Sequence, residues 1–330
     1  MIGSLAVTAP AVSGLFLAAI AAAAAASTAD AVSGRDMTPL VCHLFGPTVS
    51  PWWVNKCKLH LDLVIIDLRS AVEYADSHIP GSFSLPFEPV SAWSQMGPGD
   101  LLLEMPSSTD VFASLAAIGV SNPNPATKVV LVNGVGVPAF PQAASPRVAT
   151  TLKYAGISDG RVSVLDGGFP SWLSENLPTT TVAPTPVPRT YTAIEDRSFL
   201  VDINYVKANI NKKSQGIFLI DGRDEAVYNG SVLETWALKA GHIPSAVSLP
   251  AKHIWNADGS WKSPLELLAQ LRGAVGYGVS RSYGKIIVYC GVGGYASSWY
   301  FVLTRVLGFD NVVMYDGSAQ EWTHYYDMEL

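Results

Sequence analysis

Lys285-Ile286-Ile287-Val288-Tyr289-Cys290-Gly291-Val292-Gly293-Gly294-Tyr295 is a short apolar run that ends on a cysteine and breaks into glycines. An apolar run of this length, closed by turn residues, reads as a buried strand, and residues 296–307 read as the helix that follows. Strand, glycine turn and helix in succession are the unit from which parallel sheets with both faces covered are made. Ligands in such sheets bind at the carboxyl ends of strands, and Cys290 falls at one. The turn and the helix N-terminus aim successive backbone N–H groups at a single sulfur atom. That environment favours a thiolate and holds an anion bonded to it. Gly291, Gly293 and Gly294 permit the backbone angles that turn amides inward. Cys290 therefore reads as a nucleophile that carries something, with Gly291, Val292, Gly293, Gly294, Tyr295 and Ala296 as its cradle. The plainer readings are a buried thiol packed as a small hydrophobe and an ordinary tight turn for the three glycines.

Outward from this stretch the chain repeats itself. Lys128-Val129-Val130-Leu131-Val132-Asn133-Gly134-Val135-Gly136 has the same pattern, with Asn133 in the place of the cysteine. Asp67-Leu68-Arg69 recurs as Asp221-Gly222-Arg223, and His78-Ile79-Pro80 as His242-Ile243-Pro244. Asp166-Gly167-Gly168 with Trp172 recurs as Asp316-Gly317-Ser318 with Trp322. The order is kept and the spacing varies, which marks a duplicated domain with loop insertions. In the first copy residues 63–66, 128–132 and 162–165 read as strands, and 110–118 and 146–154 as helices. In the second, 217–220, 286–289 and 312–314 read as strands, and 264–271 and 296–307 as helices. The fold class is α/β: two tandem domains, each a mainly parallel sheet flanked by helices. We place the first at 48–178, a linker rich in Pro and Thr at 179–192, and the second at 193–330. Thr190 to Ala193 reads as a strand entering the second domain.

A chain of 330 residues with 49% hydrophobic content accommodates two packed domains. A net charge of −6 with scattered basic residues argues against nucleic acid or a polybasic membrane role. Residues 1–30 hold an almost wholly apolar stretch that reads as a secretory signal peptide, with a membrane anchor as the second reading. No Lys or Arg precedes Arg35, so the usual basic start of a signal peptide is absent. Export to a periplasmic or extracellular space is the expectation. Cys42 and Cys57 would there be free to pair, the alternative being two reduced thiols. The three cysteines and six histidines show no paired ligand spacing, so neither a metal nor a cofactor is expected.

Together these residues resemble the two-domain rhodaneses, the thiosulfate and mercaptopyruvate sulfurtransferases. The resemblance rests on the Asp-x-Arg of each half, Gly241-His242-Ile243-Pro244, the cysteine loop, and Tyr315-Asp316-Gly317-Ser318 with Glu321-Trp322. It covers about residues 50 to 325. It implies a catalytically silent first domain, a persulfide on Cys290, and transfer of sulfane sulfur from a small donor to a thiophilic acceptor such as cyanide or a thiol. Thiosulfate is the expected donor, which makes the chain a thiosulfate sulfurtransferase, and 3-mercaptopyruvate is the alternative. A further alternative is a non-enzymatic sulfur carrier or sensor. The loop differs from the thiosulfate-type pattern, with Gly291 and Val292 where Arg and Lys are usual.

The recurrence of Asp221-Arg223 and His242 in a half without a nucleophile favours structural roles for them. Arg223 is kept as a candidate contact to an anionic donor. Lys252 and His253 have no counterpart in the first copy and are better candidates for that task. A phosphatase of the same fold needs an arginine six residues past the cysteine, where this chain has Ala296.

Overall fold

The computed structural model describes residues 41–43, 45–59, 62–122 and 127–330. The apolar segment 1–30, read above as a signal peptide or an anchor, lies outside them. In the first half the elements run β1 (Thr48–Val49), α1 (Pro51–Cys57), β2 (Leu63–Asp67), α2 (Ala71–Asp76), β3 (Ser82–Ser84), α3 (Ser108–Ala117), β4 (Lys128–Val132), α4 (Phe140–Tyr154), β5 (Val162–Leu165) and α5 (Gly168–Ser174). In the second they run β6 (Leu200–Val201), α6 (Ile203–Asn209), β7 (Ile217–Asp221), α7 (Glu225–Tyr228), β8 (Val247–Ser248), α8 (Pro264–Val275), β9 (Lys285–Tyr289), α9 (Gly294–Phe301), β10 (Val312–Tyr315) and α10 (Ser318–Tyr325).

Each half is a five-stranded sheet, ordered β1-β5-β4-β2-β3 and β6-β10-β9-β7-β8. Every strand pair is parallel. The central strands are continuous runs of Val, Ile and Leu because both faces are covered. The register Asp221↔Tyr289 brings the ends of β7 and β9 level. Residues 222–224 and 290–293 therefore leave the same edge of the sheet. The expected strand at Thr190–Ala193 does not form; those residues are irregular. The second sheet instead begins with β6, whose two residues are too short to show a period. The first-half helix expected over 146–154 starts earlier, at Phe140. Pro141 sits at its first positions, which suit proline, and Pro146 is carried inside it.

Residues 178–188 are extended, as their prolines require, and are strapped to the first domain. His78 and Thr180 exchange backbone hydrogen bonds of 2.9 and 3.0 Å, and the His78 ring contacts the Val182 carbonyl at 3.2 Å. Cys42 and Cys57 form a disulfide that ties the segment before β1 to the end of α1.

The two halves share a core. Met105, Ala143 and Tyr154 of the first half belong to the apolar cluster that also holds Val288, Cys290, Trp299 and Met314. Helices α4 and α9, which are equivalent in the repeat, pack on each other at the junction. Buried there, Arg147 of α4 reaches Asp316 of the second half, with Nη1 to Oδ1 at 2.5 Å, and its other arm donates to the Leu103 carbonyl. The Met105 amide donates to Asp316 Oδ2 at 2.9 Å. Gln320 makes a two-way amide contact with the Leu102 backbone, at 2.8 and 2.9 Å.

Two consequences are testable. Arg147→Ala leaves Asp316 buried without its cation and is expected to cost about 3–5 kcal/mol in chemical denaturation. Glu104, beside this pair, has its carboxyl pushed up to about 8, first by burial and then by the Asp316 charge, with Arg147 opposing. The folded chain keeps that proton where the unfolded chain has released it. Stability should therefore fall as pH rises from the ordinary value of 4.5 to about 8. Glu104→Gln should flatten the decline, seen as denaturant midpoints compared across that range.

Candidate active site

Cys290 follows the last residue of β9 and is buried, 1% exposed as a residue. The turn after it is built so that carbonyls point one way and amides the other. The Cys290 carbonyl accepts from the Ala319 amide at 2.9 Å, and the Gly291 carbonyl accepts from the Gln320 amide at 3.1 Å. Both donors belong to the first turn of α10, whose amides have no partner within their own helix. With its carbonyls occupied there, the loop turns its N–H groups to the other side. The Gly293 amide donates to Cys290 Sγ at 3.1 Å, and the amides of Ala296 and Val292 also stabilise the thiolate. The Cys290 amide is held by Ser318 Oγ at 3.2 Å.

Gly293 makes this geometry possible. Its φ is 89°, and a Cβ there would lie 2.7 Å from Asp316 Oδ1 and 3.0 Å from Arg147 Nη1. The domain-bridging ion pair is thus packed directly beneath the cradle. Burial pushes the Cys290 thiol up, the Ala296, Val292 and Gly293 amides pull it down, and the Glu234 charge pushes it up again; the balance is above the ordinary thiol value.

Glu234, which the sequence did not single out, and Trp236, which reads from sequence as a packing residue, cover the loop. A Cβ on Gly291 would meet Trp236 Nε1 at 2.6 Å and Glu234 Oε2 at 2.7 Å. Glu234 and Trp236 thus lie directly over the first glycine of the cradle. The Glu234 carboxyl is raised by burial against the opposing Arg223 charge, with the Asp221 charge adding to the rise. Both residues come from an irregular stretch without periodicity, remote in sequence from Cys290, and no motif marks their place over the loop.

The loop residues Gly291, Val292, Gly293, Gly294, Tyr295 and Ala296 are brought together around Cys290. Tyr295 is pushed up to about 12 by burial and by the charges of Asp224, Cys290 and Glu234. The three cationic candidates are otherwise engaged. Arg223 is buried and bonded to Asp221, with Nη2 to Oδ2 at 2.6 Å and Nη2 to the Gly241 carbonyl at 2.8 Å. Arg69 makes the same contacts with Asp67 and the Ser77 carbonyl in the first half. This repetition fits a structural role. Lys252 pairs with Glu225 at 2.5 Å and Asp224 at 3.2 Å, and His253 lies 3.6 Å from Glu225.

In the first half the equivalent turn is closed from within. Asn133 Oδ1 accepts from Ser145 Oγ at 2.8 Å, and Asn133 Nδ2 donates to the Gly134 carbonyl. The Gly136 amide goes to Gln142 Oε1 at 3.1 Å.

The fold and this site define a sulfurtransferase-type α/β repeat, and the chain belongs to the rhodanese family. The model of the rhodanese-like domain matches it twice, over residues 53–175 and 202–325. The chain is 31% identical over 255 residues to the thiosulfate sulfurtransferase of Bos taurus, covering 76% of this chain and 79% of that protein. It is 34% identical over 179 residues to the sulfur carrier protein TtuD of Thermus thermophilus, covering 52% and 61%. Among solved structures it resembles YnjE, with a TM-score of 0.70 and 22% identity over 86% of this chain and 69% of that one. It also resembles EanB in complex with ergothioneine, with a TM-score of 0.69 and 23% identity over 86% and 70%. These last two likenesses concern the fold.

Gly293→Ala puts a side chain at a strained positive φ, expected to cost about 1–3 kcal/mol. It should also loosen the amide on Sγ. The pH midpoint for alkylation of Cys290 should then move up, as read by iodoacetamide rates.

Proposed function

We propose that this protein is a sulfurtransferase that takes sulfane sulfur from thiosulfate onto Cys290 and passes it to cyanide or a thiol. The observation that carries the reading is the sulfur of Cys290 facing the amides of Val292, Gly293 and Ala296 in a loop without a charged side chain. Inward amides suit a hydrodisulfide anion. The Cys290 thiolate attacks the outer sulfur of thiosulfate. The S–S bond of the donor breaks, and sulfite leaves with the electron pair. Cys290–S–S⁻ remains. Cyanide then takes the terminal sulfur as thiocyanate and returns the thiolate. Two displacements replace one, with ping-pong kinetics.

Thiosulfate as donor is supported by the names of the relatives that match across both domains. The similarity to a sulfur carrier over part of the chain supports the second reading, in which Cys290 only relays sulfur to a partner. The Cys42–Cys57 disulfide supports export, because such bonds persist in oxidising compartments.

Incubation with thiosulfate should add one sulfur atom, about 32 Da, to the intact chain, and Cys290→Ala should abolish the adduct. Release of thiocyanate from cyanide should follow, with kcat/KM for thiosulfate modestly above that for 3-mercaptopyruvate. An adduct that no small acceptor discharges would favour the carrier; no adduct from any donor would remove the sulfur-transfer reading.

A further inference from the structure

Glu234 places a carboxylate, held by hydrogen bonds from the Trp236 and Arg223 side chains, over the loop that carries the nucleophile. Its side chain is 15% exposed. The closest cation is Arg223 Nη1 at 3.5 Å. That guanidinium is already bound in two places to Asp221, at 2.6 and 3.0 Å. One cation thus serves two carboxylates, Asp221 fully buried and Glu234 half-buried. The next charges outward repeat the imbalance, since Lys252 lies between Asp224 and Glu225. The approach to Cys290 is negative on this side, although the proposed donor is a dianion. Trp236, 38% exposed, and Tyr295 supply aromatic surface beside the same carboxylate. Carboxylate and ring faces together suit a cationic group and repel an anionic one.

We infer that Glu234 is a specificity-determining residue that selects the charge of the partner reaching Cys290, favouring thiol acceptors with a cationic amine and slowing anionic sulfur compounds. The inference rests on Cys290 being the sulfur-carrying atom. The acceptor thiolate attacks the outer sulfur of the Cys290 persulfide and leaves with it as a new persulfide, while Cys290 recovers the electron pair of the broken S–S bond. The ammonium of an aminothiol sits against Glu234 during that displacement. Thiosulfate loading proceeds against the same charge, so removing the charge should speed loading and blunt the preference among acceptors.

The test uses a reagent pair that reacts with the free thiol whether or not a persulfide forms. Methanethiosulfonates carrying an ethylammonium or an ethylsulfonate transfer the same kind of group to Cys290 and release the same methanesulfinate. On the full chain, with Cys42 and Cys57 in their disulfide, mass spectrometry follows both rates. The cation-to-anion rate ratio is expected to be about tenfold higher in the wild type than in Glu234→Gln. Glu234→Asp should keep most of the preference, which separates charge from altered packing. High salt should compress the wild-type ratio and leave that of Glu234→Gln unchanged. Equal ratios in wild type and Glu234→Gln overturn the inference, even if the thiosulfate adduct forms as proposed. A missing adduct with the ratio intact instead overturns the donor chemistry and leaves Glu234 as the charge filter. Discharge of the loaded persulfide by cysteamine relative to 3-mercaptopropionate should fall in Glu234→Gln by a similar factor.

Discussion

The ion pair between Arg147 and Asp316 is the constraint on which the site depends. It joins the two halves in the buried junction, where a lone charge would be costly and a bonded pair is tolerated. Asp316 also accepts from the Met105 amide, so three segments meet at one carboxylate. Gly293 is packed against this group at a backbone angle that only glycine adopts easily. The amide that faces the sulfur therefore owes its direction to a contact between domains.

The cradle also explains why so little side-chain charge is needed near the nucleophile. The carbonyls on the far side of the turn are satisfied by the first amides of α10. The amides left over converge on Sγ and oppose the effect of burial on the thiol. The site is thus an arrangement of backbone dipoles held rigidly from behind, the kind of device that stabilises charge without reorganising. Glu234 works against it, since its charge pushes the Cys290 thiol up.

Much of the fold was legible in the sequence because it rests on local signals. Runs such as Ile286-Ile287-Val288 announce strands buried on both faces, and the second set of landmarks reveals the duplication. Cys290 and its glycines were legible because a cradle needs those residue types in that order. The start of α4 was hidden by Pro141 and Pro146, which ordinarily mark helix ends. Thr190 to Ala193 has the composition of a strand and no neighbour to pair with. Arg147 looked like any helix residue, and Glu234 and Trp236 lie in a stretch with no period at all. Their importance comes from proximity across the chain, which composition and spacing do not encode. Lys252 and His253 illustrate the converse, since suitable chemistry at the right strand end was absorbed by Asp224 and Glu225.

The first half has a lesson of its own in Asn133. Its amide bonds to Ser145 and to the backbone of its own turn, and Gln142 occupies the Gly136 amide. The vacated nucleophile position has been filled in like a disused doorway and the wall now bears weight. A cysteine at 133 would lack at least the amide of Gly136, which Gln142 occupies. The asymmetry between the two copies thus lies in the same turn, closed on its own side chains in one half and open to a sulfur atom in the other.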